Sequence, residues 1–240
     1  MAHRFLLLHG TPLSPQVWDG VRAHLTADAV APDLTELIES AGGSHLQTEV
    51  AAAVLATLPD NQMVVVRHSF GGQVAIEVAL LAPERVARLV VVCSRHTPFP
   101  QFADGARAVR ASRPVDVDAG LRRLFTPREV AAEGPAVAYV RRQLRTAPLA
   151  PWAAALDAIA SYDRAFSVGR IAAPVSLFAA GLDEVSPPAV MAELAAALPH
   201  ATLEVVSAWA HMSPFAGPAA FAARLNAVAS DVDSYPRRRE

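Results

Sequence analysis

Residues 63–72, Met-Val-Val-Val-Arg-His-Ser-Phe-Gly-Gly, run a short apolar segment directly into a serine and a pair of glycines. Val64 to Val66 are three consecutive β-branched residues, which suit a strand covered on both faces of a sheet. From Gln73 to Ala82 the pattern turns helical. A serine squeezed between a buried strand and a helix sits in a sharp turn that lifts its hydroxyl clear of the sheet, which is how a nucleophile is presented. Gly71 and Gly72 suit that turn, because the helix must start almost on top of the strand. The plainer alternative is a serine that only caps the helix.

Working outward, Phe5 to Leu8 read as a first buried strand that ends at His9-Gly10-Thr11-Pro12. Ser14 to Leu25 reads as a helix, with Pro15 in its first turn and Val17, Trp18, Val21 and Leu25 on one face. A short strand at Ala29 to Ala31 and a helix from Ser44 to Leu58 follow, and Pro59-Asp60-Asn61 turns the chain into the serine strand. Beyond it come strands at Val86 to Cys93, Val175 to Ala179 and Thr202 to Val206, with helices at Pro188 to Leu198 and Pro218 to Val228. Apolar strands alternating with helices predict an α/β fold, a mostly parallel sheet of about six or more strands with helices on both faces. Reactive residues then collect on loops at the carboxyl ends of the strands. Ser94 to Ala173 carries helical pattern without a convincing strand and is broken at Pro114, Pro127, Pro135 and Pro148. The predicted organisation is a core of residues 1–93 and 173–240, interrupted by a helical cap over 94–172.

Four loops of this frame carry a family likeness. His68-Ser69-Phe70-Gly71-Gly72 resembles the nucleophile elbow of the α/β-hydrolase family, usually Gly-x-Ser-x-Gly, with Arg67 standing at the first glycine. His9-Gly10-Thr11 resembles that family's His-Gly-x loop. Ala180-Gly181-Leu182-Asp183-Glu184-Val185-Ser186-Pro187 resembles its Gly-x-x-Asp-x-x-x-Pro loop, with Ala180 at the first glycine. Ala210-His211 resembles its Gly-His loop.

The resemblance implies an α/β-hydrolase fold and a triad in the order Ser69, Asp183, His211, in which the base activates the hydroxyl and the carboxylate orients the base. Glu184 is the neighbouring alternative acid, whereas His200 precedes its strand and so falls at the wrong end of the sheet. The oxyanion donors implied are the backbone N–H groups of Thr11 and Phe70, since Pro12 has none to give. Arg67, His68, Met212 and Trp152 are the expected substrate contacts. The implied activity is a serine hydrolase that cleaves an ester or thioester of a small to medium, partly hydrophobic substrate through an acyl-enzyme on Ser69. A lyase or cyclase without an acyl-enzyme, or a catalytically quiet binding protein, are the alternatives. The family likeness implies no metal or organic cofactor.

Composition narrows the classes further. At 240 residues the chain makes one sizeable domain with an insertion. Hydrophobic residues make up 52%, yet no apolar run approaches the length needed to span a bilayer. Phe5 to Leu8 is too short for a signal peptide, so the expectation is a cytoplasmic protein without a membrane partner. Cys93 is the only cysteine, which excludes an internal disulfide and thiolate clusters, and its strand position suits a buried small hydrophobe. No lysine is present, which excludes Schiff-base chemistry. A net charge of −2 gives no support for nucleic-acid binding, despite the Arg237-Arg238-Arg239 tail. Within 94–173 twelve arginines face seven acids, interleaved with Phe99, Phe102, Leu121, Leu124, Phe125 and Trp152. That mixture predicts a small-molecule substrate with an anionic or carrier-bound part and an apolar part. The oligomeric state is left open by the sequence.

Overall fold

The computed structural model describes residues 4–41, 45–111 and 115–231. Ser44, Arg113, Pro114 and the Arg237–Arg239 tail lie outside them. The amino-terminal half runs β1 (Arg4–Leu8), α1 (Asp19–Arg22), β2 (Ala29–Val30), α2 (Leu34–Ser40), α3 (Leu46–Thr57), β3 (Met63–His68), α4 (Phe70–Leu81) and β4 (Val86–Val92). Five helices follow without a strand: α5 (Gln101–Ala111), α6 (Val117–Leu124), α7 (Pro127–Ala132), α8 (Pro135–Thr146) and α9 (Leu149–Ser161). The chain then returns through β5 (Val175–Ala180), α10 (Pro188–Ala197), β6 (Ala201–Val206), α11 (Ser213–Ala216) and α12 (Pro218–Ser230).

The six strands form one sheet in the order β2-β1-β3-β4-β5-β6, and every described pairing is parallel. Strand order reverses between β1 and β3, and the crevice at such a reversal is where open parallel sheets bind ligands. Side chains alternate across the sheet. Val64, Val66, Val90 and Val92 join one apolar cluster with Trp18, Phe215 and Phe221. Val65, Leu89 and Val91 join another, with Val50 and Val54 of α3, Val74 and Val78 of α4, and Met191 of α10. Central strands buried on both faces explain why residues 63–66 carry no polar alternation.

The helix predicted over 14–25 is a single 3-10 turn, Pro15–Trp18, followed by the four-residue α1. Trp18 and Val21 are still fully buried, so the apolar spacing located the packing face, though not the length of the helix. Helix α2 was not foreseen. Asp33 caps it, accepting the Thr35 N–H at 2.9 Å, a signal hidden behind Pro32. The segment α5–α9 is pinned to α4 from below: Glu77 accepts hydrogen bonds from the Tyr162 hydroxyl at 2.8 Å and from Arg164 Nε at 2.7 Å. Among the described residues no helix is long and apolar enough to cross a membrane.

Candidate active site

Ser69 lies between the last residue of β3 and the first of α4, with φ 53° and ψ −122°. Positive φ is uncommon outside glycine and costs about 1–3 kcal/mol, so the surrounding contacts must impose it. They are visible. The Ser69 N–H donates to the Val92 carbonyl at 3.2 Å, and the Ser69 carbonyl accepts both the Gly72 N–H and the Ser94 hydroxyl at 2.8 Å. A Cβ on Gly71 would stand 2.5 Å from the Leu8 carbonyl oxygen, and one on Gly72 would stand 1.9 Å from Ser94 Oγ. The glycine pair is therefore required by the approach of α4 to the ends of β1 and β4.

On the loops after β5 and β6, His211 Nδ1 lies 2.8 Å from Asp183 Oδ2. A carboxylate only accepts, so Nδ1 carries the proton and Nε2 is left with its lone pair. Asp183 Oδ1 accepts the Val185 N–H at 2.7 Å and the Ser186 N–H at 3.1 Å. Burial works against its charge, but His211 and these two amides outweigh burial and hold the carboxyl down at about 2. Glu184 is exposed and His200 ends the turn before β6, so neither rival enters the group.

Gly10 packs between the two halves of the site: a Cβ there would be 2.8 Å from Ser69 Cβ and 3.2 Å from His68 Nδ1. The loop it opens is held by His9, which donates from Nδ1 to the Gly10 carbonyl at 2.8 Å and accepts the Leu34 N–H on Nε2 at 3.0 Å. The N–H groups of Thr11 and Phe70 donate to no other group among the described residues, as donors kept for a ligand require.

Three of the expected substrate contacts sit elsewhere. Arg67 belongs to the opposite face of β3 from His68. It is fully buried beneath α4 and donates from Nη1 to the Gly72 carbonyl, away from Asp183 and Glu184. Burial lowers its guanidinium to about 9, still protonated at neutral pH. His68 is 1% exposed and donates from Nε2 to the His211 carbonyl at 2.9 Å, its ring 4.7 Å from that of His211. Burial and then the neighbouring His211 lower it to about 3, so it is a neutral support for the histidine loop. Met212 is 1% exposed, its side chain in the core, and its N–H donates to the Leu124 carbonyl at 2.8 Å. Trp152 lines a cleft of about 240 Å³ with Thr11, Leu13 and Ser14, whose rim carries Asp33, Glu36 and Glu39. That rim is acidic.

The sequence reading passed over several residues that hold this geometry. Ser213 accepts the Ala210 N–H at 2.8 Å and donates to Glu129 at 2.9 Å. Glu129 also closes a capping box with Thr126 at the start of α7, so the helical segment is tied to the histidine loop. Thr126-x-x-Glu129 was legible as a capping box, but its contact with residue 213 was not. Ser94 and Arg95, after β4, lie at a second and much smaller cavity of about 10 Å³, lined also by Ser69, Phe70, Phe99, Phe102 and Ile159. His68, Cys93 and His211 place a nitrogen or sulfur each within 4.8 Å of one another. A Cys93 thiol pushed well up by burial disfavours a thiolate metal site there.

Strained serine, paired histidine and free loop amides at the carboxyl ends of parallel strands are matched by relatedness to known proteins. Lipase LipV of Mycobacterium tuberculosis is 36% identical over 94 residues, 37% of this chain and 36% of the lipase. The pimeloyl-[acyl-carrier protein] methyl ester esterase of Citrobacter koseri is 42% identical over 94 residues, again 37% of this chain and 36% of the esterase. The chain thus matches about a third of the length of these curated relatives. A thermophilic esterase from Thermogutta terrifontis superposes with a TM-score of 0.82 at 21% identity, covering 97% of this chain and 91% of the other, which is a likeness of fold. The model of the alpha/beta hydrolase family matches residues 5–224, nearly the whole described core with its helical segment, and the chain belongs to that family.

Proposed function

We propose that the protein is a serine hydrolase of carboxylic esters or thioesters that works through an acyl-enzyme on Ser69. The observation that carries the reading is the Asp183–His211 hydrogen bond, which leaves Nε2 of His211 as a free base in a site whose serine is held at positive φ. Ser69 Oγ adds to the substrate carbonyl carbon as His211 Nε2 takes its proton. The carbonyl oxygen, now negative, is received by the Thr11 and Phe70 N–H groups. The tetrahedral species collapses with loss of the alcohol or thiol, to which His211 returns the proton. Water then adds to the acyl-enzyme with His211 again as base, and the carboxylic acid leaves as Ser69 recovers its proton.

Asp183, ionised down to about pH 2, stabilises the imidazolium formed in both halves. The α5–α9 segment acts in this reading as a cap, bringing Phe102, Trp152 and Ile159 to the cavities beside Ser69 and Thr11. The names of the lipase and the methyl ester esterase relatives favour ester substrates. The test is labelling with a fluorophosphonate probe followed by peptide mass analysis. Stoichiometric modification of Ser69, abolished in Asp183→Asn and His211→Ala, is the expected result. An unlabelled Ser69 in a protein that still turns over substrate overturns the acyl-enzyme and moves the reading to proton-transfer chemistry at His211.

A further inference from the structure

Most described arginines of the α5–α9 region are exposed, and several are already paired. Arg107 pairs with Asp104 and Arg110 with Asp157. Arg141 lies 3.0 Å from Asp118, and the half-buried Arg164 lies 2.7 Å from Glu77. Arg95 differs from all of them. Its side chain is 8% exposed, its Nε has no partner, and no carboxylate lies within ion-pair distance among the described residues. The Phe99 ring lies against its charge, with the centroid 3.9 Å from Cζ. Burial lowers its guanidinium, and the more distant Asp183 and Glu193 act against that shift without contacting it.

Its backbone is fixed on both sides. The Ser94 hydroxyl donates to the Ser69 carbonyl at 2.8 Å, and the His96 carbonyl accepts the Arg164 N–H at 2.9 Å. Arg95 shares with Ser69 and Phe70 the cavity of about 10 Å³, walled by the apolar Phe99, Phe102 and Ile159 and by the polar Gln73, Ser94 and Ser186. A desolvated cation with no counter-ion is costly unless something pairs with it. A planar guanidinium forks onto a carboxylate through two parallel hydrogen bonds.

We propose that Arg95 is a specificity-determining residue for esters that carry a second, ionised carboxylate, and that the half of the substrate bearing it lies on the Arg95 side of Ser69. This rests on the hydrolase reading for the ester bond, though not for the recognition of the carboxylate. The neutral half takes the other cleft, where Asp33, Glu36 and Glu39 would repel an anion. A recess that holds about one water admits the carboxylate-bearing half only when Phe99 and Phe102 swing aside, so the pair acts as an apolar stopper.

The experiment compares monomethyl glutarate, with the carboxylate on the acyl half, acetylglycolate, with it on the alcohol half, and neutral methyl pentanoate. For whichever charged ester the parent prefers, Arg95→Gln should reduce the ratio of its kcat/KM to that of methyl pentanoate by about 10- to 100-fold, the scale of a hydrogen-bonded charge contact. Arg95→Lys should recover part of that ratio. The same two charged esters are titrated calorimetrically against Ser69→Ala protein with and without Arg95→Gln, with thermal unfolding recorded to verify the fold. Weaker binding on loss of Arg95 supports the proposal. An unchanged ratio together with unchanged binding overturns it while leaving the hydrolase reading intact. Arg95-dependent binding by a protein whose Ser69 takes no fluorophosphonate would overturn the hydrolase reading instead and keep the carboxylate site.

Discussion

Replacing Arg67 by methionine is expected to stabilise the protein. The side chain is fully buried, donates one hydrogen bond to the Gly72 carbonyl and leaves Nε and Nη2 without acceptors. Lowering the guanidinium from its ordinary value to about 9 corresponds to about 5 kcal/mol spent on keeping the charge out of water, at ~1.4 kcal/mol per tenfold change in proton affinity. Against this stands the loss of one charge-assisted hydrogen bond, about 1.5–3 kcal/mol. Methionine fills most of the volume of the arginine stem next to Val65 and Val91 and carries no polar group. The net expectation is a gain of about 2 kcal/mol, within the range seen when buried charges give way to apolar residues. For a chain of this size that raises Tm by about 4–8 °C.

The gain should also depend on pH with a definite sign. Above about pH 9 the folded parent releases the Arg67 proton, whereas the unfolded chain keeps it to far higher pH, so the unfolded state binds more protons and parental stability rises with pH. The advantage of Arg67→Met is then complete at pH 7 and shrinks by about 1.4 kcal/mol by pH 10. Urea unfolding at pH 7 and pH 10 measures this, and other titrating groups cancel in the difference between the two proteins. Turnover of neutral and anionic esters should change by no more than about twofold, because Arg67 and His68 face opposite sides of the sheet. A destabilised variant at pH 7, a gap independent of pH, or a selective loss of anionic ester turnover would each refute this account.

Ser213→Ala strips a partner from both the Ala210 N–H and Glu129, and is expected to cost about 1–3 kcal/mol in urea unfolding and to lower kcat more than it changes KM. An unaffected kcat would show that the tie between α7 and the histidine loop is dispensable. Gly72→Ala would set a Cβ 1.9 Å from Ser94 Oγ and 2.4 Å from Ser94 Cβ, so it should depress both Tm and activity, and Ser94→Gly in the same chain should restore a large part of the Tm. No recovery would place the strain elsewhere. Asp183→Asn should lower kcat/KM by about 10⁴-fold. The Asp183 carboxyl is held at about 2, below its ordinary 3.8, so its charge stabilises the fold above about pH 4 and that contribution fades as pH falls through 2. The parent's lead over Asp183→Asn in urea should accordingly be flat from pH 5 to 8 and close between 4 and 2.

What the sequence made readable follows from what is local. Three β-branched residues and a serine before two glycines describe a strand, a turn and a helix start in consecutive positions, so the elbow needed no knowledge of the rest of the chain. Asp183 and His211 were legible as loops after strands in the right order, although their 2.8 Å contact depends on β5 and β6 being neighbours. The misplaced residues were misread for a common reason. Arg67 and His68 are adjacent in sequence, and nearness to Ser69 suggested that both reach the substrate, but strand alternation sends one under α4 and the other behind His211. Counting arginines over a whole segment is blind in a similar way, because a count does not say which of them are paired. Arg141 and Arg164 are balanced by Asp118 and Glu77 across 23 and 87 residues of sequence, which no local pattern announces. Arg95, buried and without a carboxylate at ion-pair distance among the described residues, stands just after the strand next to the elbow, and in this fold the loops at strand ends decide which charge matters.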